Sequence, residues 1–184
     1  MAKASSKTKL ELLEAAARIV KEQGASQLTL EAVAKKAGVS KGGLLYHYPN
    51  KSALLAAMVT HLIESFEKAI EQTIEQSEGK ISWLEAYVIL SFDPSGSLLA
   101  ESAGILAAVA SDPSLLEPFK EINEIWQEKV EANGLDSVVA TIIRLAADGL
   151  WYTELFDVSP FTEEKRSQVL KALLTLIKEK TNHD

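Results

Sequence analysis

Cysteine is absent from this 184-residue chain, so neither disulfides nor thiolate metal sites can form, which suits a reducing compartment. The three histidines, His47, His61 and His183, are far apart, and His61 with Glu64 is a lone i, i+3 pair without further ligands. No metal site and no cofactor are expected. A G-x-S-x-G elbow, a glycine-rich phosphate loop and a Cys nucleophile are all missing, so the chain is not read as an enzyme. The most apolar stretch, Leu98 to Ala110, has 13 residues and contains Glu101, too short and too polar to span a bilayer. The opening MAKASSKTK has no apolar run behind its lysines and does not read as a secretory signal. A soluble, cytoplasmic protein without membrane association is therefore expected.

Strand-like alternation is also missing, and no repeat or low-complexity segment is visible. Helical periodicity takes its place. Leu10, Leu13, Ala17 and Val20 define a first helix that Gly24 ends, and Leu55, Met58, Leu62, Phe66 and Ile70 carry a long fourth helix to about Ser77. Further breaks fall at Asp93-Pro94-Ser95-Gly96, Ser111-Asp112-Pro113, Asn133-Gly134 and Ser159-Pro160, all turn or N-cap chemistry. Five further helices fit between them, giving an all-α fold of about nine helices.

The densest information lies in TLEAVAKKAGVSKGGLLYHYPNK, Thr29 to Lys51. Leu30, Val33, Ala34 and Ala37 fall at i, i+3, i+4 and i+7, one face of a helix with Thr29 as its N-cap. Gly38 can take the left-handed conformation that ends a helix, and Ser40 can cap a new one over Lys41 to Tyr46. Ala34 is small where the two helices must cross. Asn50 can cap the next helix, whose free amides make a phosphate site. Two short helices around a tight turn are suited to entering a DNA groove.

This segment resembles the DNA-binding region of the tetracycline-repressor (TetR) family of bacterial transcription regulators. The likeness rests on the Ala37-Gly38-Val39-Ser40 turn, Leu44, the Tyr46-His47-Tyr48 triplet and Lys51, with the upstream helix that ends near Gly24. It implies a three-helix DNA-binding head over residues 6–66, its helix-turn-helix at about 29–48, and a C-terminal helical bundle over 80–184 for ligand binding and dimerisation. The DNA-binding set implied is Thr29, Ser40, Lys41, Gly42, Gly43, Tyr46, His47, Tyr48 and Lys51. In such proteins the second helix of the pair lies in the major groove. Lys41 is the one long donor at its start and can reach guanine O6 and N7, or settle on a phosphate. Tyr46, His47 and Lys51 match the family's phosphate-contacting positions and would place the protein on DNA rather than read sequence. Gly43 and Leu45 depart from a pattern that often has Thr or larger, and an aromatic, at these places. Adjacent glycines either let the backbone approach the bases or are simply tolerated at this helix start.

Charge is split along the chain. Residues 1–51 hold nine basic and four acidic residues, net +5, and the remainder ten and twenty-two, net −12. The overall −7 thus conceals a basic head, which would be steered onto DNA by one end.

In the body, Glu64, Glu67, Glu71, Glu75 and Glu78, and likewise Glu117, Glu121, Glu124, Glu128 and Glu131, recur at helical spacing and read as solvated outer faces. Trp83, Tyr87, Phe92, Phe119, Trp126, Trp151 and Tyr152 crowd the same half of the chain. Such aromatics form either a packed core or the lining of a cavity for a flat or greasy molecule. Arg144 and Asp148 stand four apart in an otherwise apolar helix, as an ion pair, a ligand anchor or part of a dimer seam beside Ala146, Ala147 and Gly149. The candidate ligand set is therefore Trp83, Tyr87, Phe119, Trp126, Arg144, Asp148, Trp151 and Tyr152. The last helix carries Val169, Leu170, Leu173, Leu174, Leu176 and Ile177, too much apolar surface for one buried face.

The resemblance implies a homodimer joined through the last two helices, acting as a repressor on a near-palindromic double-stranded operator and released by a small-molecule inducer. The inducer would be apolar or aromatic and would spoil the spacing of the two recognition helices. The alternative is a helical small-molecule-binding or interaction protein that does not bind DNA.

Overall fold

The computed structural model describes residues 2–93, 102, 113–156 and 158–181. Among them all regular structure is helical: α1 (Ala2–Gln23), α2 (Leu30–Ala37), α3 (Lys41–His47), α4 (Lys51–Gln76), α5 (Trp83–Ser91), α6 (Glu117–Glu131), α7 (Ser137–Leu155) and α8 (Glu163–Thr181), with single 3-10 turns at Ala25–Gln27 and Pro113–Leu116. The all-α expectation holds. The apolar stretch 98–110, Ser102 excepted, and most of the two breaks flanking it lie outside the described residues. No helix among the described residues is long and apolar enough to cross a membrane. The chain divides into two compact units, residues 1–64 with 100–120 and residues 65–99 with 121–184.

In the first unit α1 packs on α2, and α2 on α3. Its core is made by Leu12, Ala16, Ile19 and Val20 of α1, Leu28, Val33 and Ala34, Leu44, and Leu54, Leu55, Met58 and Val59 of α4. Leu10, expected on the buried stripe of α1, is exposed. Leu13 and Val20 of that stripe are buried, and so are Leu12, Ala16 and Ile19, so the core-facing side of α1 is wider than the one stripe. Ala34 is buried, as its small size at a crossing requires.

Each cap in this unit is made by the residue that the pattern nominated. Thr29 Oγ1 accepts from Ala32 N at 3.1 Å, Ser40 Oγ from Gly43 N at 3.0 Å and Asn50 Oδ1 from Ala53 N at 2.8 Å. Gly38 has φ +70° and ends α2, its N–H donating to the carbonyls of Ala34 and Lys35. A Cβ built there meets nothing within 4 Å, so the need for glycine is conformational rather than steric. Gly38→Ala is expected to destabilise the protein by about 1 to 2 kcal/mol, read as a lowered denaturation midpoint at unchanged slope.

The second unit contains α5, α7, α8, the end of α4 and most of α6. α5 packs against α7 and α8. Ser82 and Glu85 close a capping box at its start, Ser82 N donating to Glu85 Oε2 at 2.8 Å and Glu85 N to Ser82 Oγ at 3.2 Å. Asp136 caps α7 by accepting from Val138 N and Val139 N, both at 3.1 Å. One buried cation ties three elements together. Arg166 of α8 donates through Nη2 to the Phe92 carbonyl at 3.1 Å and through Nη1 to Glu163 at 3.0 Å, with Nε 3.6 Å from Glu154 of α7.

Candidate nucleic-acid interface and interior polar cluster

The caps and Gly38 fix the path of α2, turn and α3, and so decide which side chains leave the surface. Lys41, Gly42, Tyr46 and Lys51 are exposed, with Tyr46 at 82 %. Thr29 and Ser40 are exposed as well, but their oxygens accept the capping bonds given above. His47 is half-buried and meets Tyr46 edge to face, ring centroids 5.0 Å apart. Tyr48 departs from expectation. It was grouped with the DNA-binding residues, yet it is only 6 % exposed, and burial raises the phenol above its ordinary pKa. Its place at the end of α3, where its N–H closes the helix on the Leu44 carbonyl at 2.8 Å, turns the ring inward, so its role is packing.

The two glycines differ. A Cβ at Gly42 would meet nothing within 4 Å, whereas one at Gly43 would lie 3.3 Å from the capping Ser40 Oγ. Nothing within the head demands glycine at 42, while at 43 the cap itself leaves little room. Lys41 is not solitary: its ammonium forms a hydrogen-bonded ion pair with Glu31 of α2, and this bond holds the Glu31 carboxyl below its usual range. Lys36 pairs similarly with Glu22, at 2.7 Å.

In the second unit the expected ligand residues fall into two groups among the described residues. Trp83 stacks on Tyr87 (5.2 Å, 28°), and Tyr87 meets Phe66 and Trp126 edge to face at 5.5 and 5.8 Å. Trp126 also packs on Phe66 at 5.4 Å. Trp151 and Tyr152 form a T-shaped pair at 5.1 Å, and burial first, then the Asp148 charge, raises the Tyr152 phenol above its ordinary pKa. Phe119, expected with this cluster, belongs to the first unit.

Arg144 and Asp148 are part of a larger network. Arg144 Nε lies 3.5 Å from Asp148 Oδ2. Its Nη1 donates to the Asn123 carbonyl at 3.1 Å and to Gln127 Oε1 at 3.0 Å, and its Nη2 donates to Asn123 Oδ1. Gln127 Nε2 in turn donates to Thr141 Oγ1 at 2.8 Å. The Tyr87 hydroxyl donates to Asp148 Oδ1. Burial is the main cause that raises the Asp148 carboxyl above its ordinary pKa, against the opposing pull of the Tyr87 hydrogen bond and the Arg144 charge. Burial first, then the Asp148 charge, pushes the Tyr87 phenol far up, so it stays protonated. α5, α6 and α7 are thus joined by one part-buried polar chain that shares Tyr87 with the aromatic cluster.

Two further contacts were hidden in what read as a solvated glutamate stripe. Glu67 is half-buried, 3.2 Å from Lys129 Nζ and 3.4 Å from Trp126 Nε1, and the same ammonium sits 5.4 Å from the centre of the Trp83 ring. The α6 glutamates are exposed, as their spacing implied. An open groove of about 310 Å³ runs along α8 between Ser167, Leu170, Lys171, Leu174, Thr175 and Lys178, and none of the expected ligand residues lines it.

Residues 12–58 match the model for bacterial regulatory proteins of the tetR family, and residues 81–178 match the tetracyclin repressor-like C-terminal domain. The chain belongs to the TetR family. Among curated proteins it is similar to the HTH-type transcriptional regulator TtgR of Pseudomonas putida, 27% identical over 124 residues, covering 67% of this chain and 51% of that protein. The chain thus spans about half the length of that relative. Solved structures share its fold, among them the following two. A transcriptional regulator from Rhodococcus sp. Rha1 has a TM-score of 0.72 at 20% identity, over 93% of this chain and 96% of that one. The multidrug binding protein EbrR complexed with ethidium has a TM-score of 0.64 at 22% identity, over 90% and 97%.

Asn123, Gln127, Phe66, Glu67 and Glu31 were missed as site residues. Asn123 and Gln127 carried a signal, being two amides four apart on α6. Glu31 carried none, since its partner lies ten residues away across a turn.

Proposed function

We propose that this chain is a ligand-responsive transcriptional regulator that binds a near-palindromic duplex as a homodimer and acts as a repressor in the cytoplasm, without enzymatic activity. The observation that carries the reading is the capped α2–turn–α3 unit, which presents Lys41, Tyr46 and His47 from a basic head, with Lys51 following at the start of α4. Lys41 reads base edges, Tyr46, His47 and Lys51 grip phosphate, and Thr29, Ser40 and Gly43 hold the geometry that aims them. Gly42 leaves the start of α3 bare, which suits close approach to DNA.

Dimerisation uses α7 and α8. Val138, Ile142, Leu145 and Tyr152 are 51 to 64 % exposed and recur at i, i+4, i+7 and i+14, with exposed Ala146 and Gly149 beside them. The opposite face of α7, with Ala140, Ile143, Ala147 and Leu150, is already buried. A helix apolar on both faces needs a second partner, and a twofold interface offers the same stripe from another copy. Leu176 of α8 adds to the exposed surface.

The inducer is a flat, apolar or aromatic molecule that binds at Trp83, Tyr87 and Trp126, with Arg144 and Asp148 as the polar groups of the same cluster. Its effect reaches DNA through α4, whose Phe66 and Glu67 belong to that cluster. The EbrR relative was solved with ethidium, which serves as a first probe.

Selection of bound duplexes from random DNA, followed by gel shift and sedimentation, tests the reading. The expected outcome is a dimer on a two-half-site duplex whose affinity falls about 10³-fold or more between 50 and 200 mM salt, the loss for some six phosphate contacts. Absence of duplex binding at low salt would favour a ligand-binding protein that does not regulate DNA. Tryptophan fluorescence titrations with ethidium, with and without operator, test the inducer, because coupling must be reciprocal.

A further inference from the structure

Lysine at the start of a recognition helix has two competing destinations. It carries a compact charge on a flexible four-carbon stem, and in a DNA groove it can settle on a phosphate of either wall instead of a base edge. Neither Gly42 nor Gly43 supplies a side chain that would confine the Lys41 stem. What confines it is Glu31: the carboxylate accepts a hydrogen bond from the Lys41 ammonium, and both side chains are more than half exposed on the same surface. Glu31 stands in the first turn of α2, and α2 is fixed by the Thr29 cap and the Gly38 turn.

We propose that Glu31 is a positioning residue for base readout, which keeps Lys41 on base edges instead of phosphate. This rests on the DNA-binding reading above. A lysine that retains a carboxylate partner forms a pair of zero net charge, so the phosphates exert little net pull on it. The other two ammonium hydrogens stay available for guanine O6 and N7. The carboxylate is itself repelled by phosphate, which holds the pair toward the groove floor. Lys41 thereby reads sequence without adding to the salt-dependent grip that other cations of the head supply.

The test compares the full-length chain with Glu31→Gln, Lys41→Met and the double variant, by site selection and by Kd against salt on a selected operator and on a random duplex. Glu31→Gln should flatten the guanine preference that Lys41 confers. It should tighten random-duplex binding about two- to five-fold, the range for an exposed pair, and steepen the slope of log K against log salt by about 0.9 per head as Lys41 gains a phosphate. Lys41→Met should lose the base preference without steepening the slope, and Glu31→Gln on that background should leave preference and slope unchanged. Identical selected sites and slopes for the wild type and Glu31→Gln would overturn the proposal. So would an equal effect of Glu31→Gln with and without Lys41, which would make Glu31 a mere negative charge near DNA. If the wild type itself binds no duplex, the DNA-binding reading fails, and this inference with it.

Discussion

Leu145→Glu is expected to convert the protein to a monomer and to abolish operator binding at concentrations where the wild type saturates it. Leu145 stands in the middle of the exposed stripe of α7, 63 % accessible in the single chain. In a twofold dimer it would be buried twice, once per protomer, so the substitution acts at two symmetric places. Losing the apolar burial and forcing a carboxylate into the seam weakens association by about 3 kcal/mol or more, roughly 100-fold. Operator binding falls with it, since a single head makes half the contacts. The variant should keep wild-type helicity and denaturation behaviour as a monomer, because the side chain touches little of its own fold. Ile125→Glu makes the same chemical change at an exposed position of α6 and should leave the dimer intact. Sedimentation of both variants decides the matter. A dimeric Leu145→Glu would move the interface off α7.

The head was legible because its determinants are local. A cap acts within three residues of itself, and a left-handed glycine ends a helix whatever lies elsewhere, so Thr29, Gly38, Ser40 and Asn50 could be assigned from their neighbours alone. Tyr48 was misplaced for a related reason. It sits in the same triplet as exposed Tyr46, and a motif gives identity and order but not the direction in which each ring leaves the backbone. Local periodicity likewise marked Leu13 and Val20 of α1, which are buried, but placed exposed Leu10 with them and left out Leu12, Ala16 and Ile19, which packing also buries.

The body was less legible because its site is assembled from residues far apart in sequence. Tyr87 and Asp148 are 61 residues apart, Trp126 and Glu67 are 59, and Arg166 and Phe92 are 74. No window of helical spacing contains such pairs. The i, i+4 spacing of Arg144 and Asp148 revealed one edge of the network, and what it missed was the acceptor set on α6. Glu67 shows how charge misleads: one member of an apparently solvated stripe can be half-buried when an indole N–H and an ammonium are brought to it.

Replacing Asp148 by alanine should lower stability by about 3 kcal/mol, because it leaves the Tyr87 hydroxyl and Arg144 Nε without their carboxylate in a buried site. Removing both charges together, as Arg144→Met with Asp148→Leu, should cost less than the sum of the separate changes, since no uncompensated charge then remains. The pH dependence has a definite sign. Burial holds the Asp148 pKa above its ordinary value in the folded state, so the native protein binds this proton more tightly than the unfolded chain does. The stability linked to this group is complete below the ordinary aspartate range, near pH 3.9, and is lost as pH climbs from there through the folded value. Asp148→Asn cannot titrate, so the wild type's advantage over it should shrink as pH is raised across that window. Urea denaturation of the two proteins at successive pH values measures this. An advantage that grows with pH would mean that the Arg144 charge outweighs burial and that the carboxylate sits below its ordinary pKa. The same Asp148→Ala protein should also lose the fluorescence response to an aromatic probe, because Tyr87, which stacks on Trp83 and meets Trp126, takes its orientation from the bond to Asp148. A variant that unfolds earlier yet still responds to the probe at low temperature would separate the network's structural role from recognition.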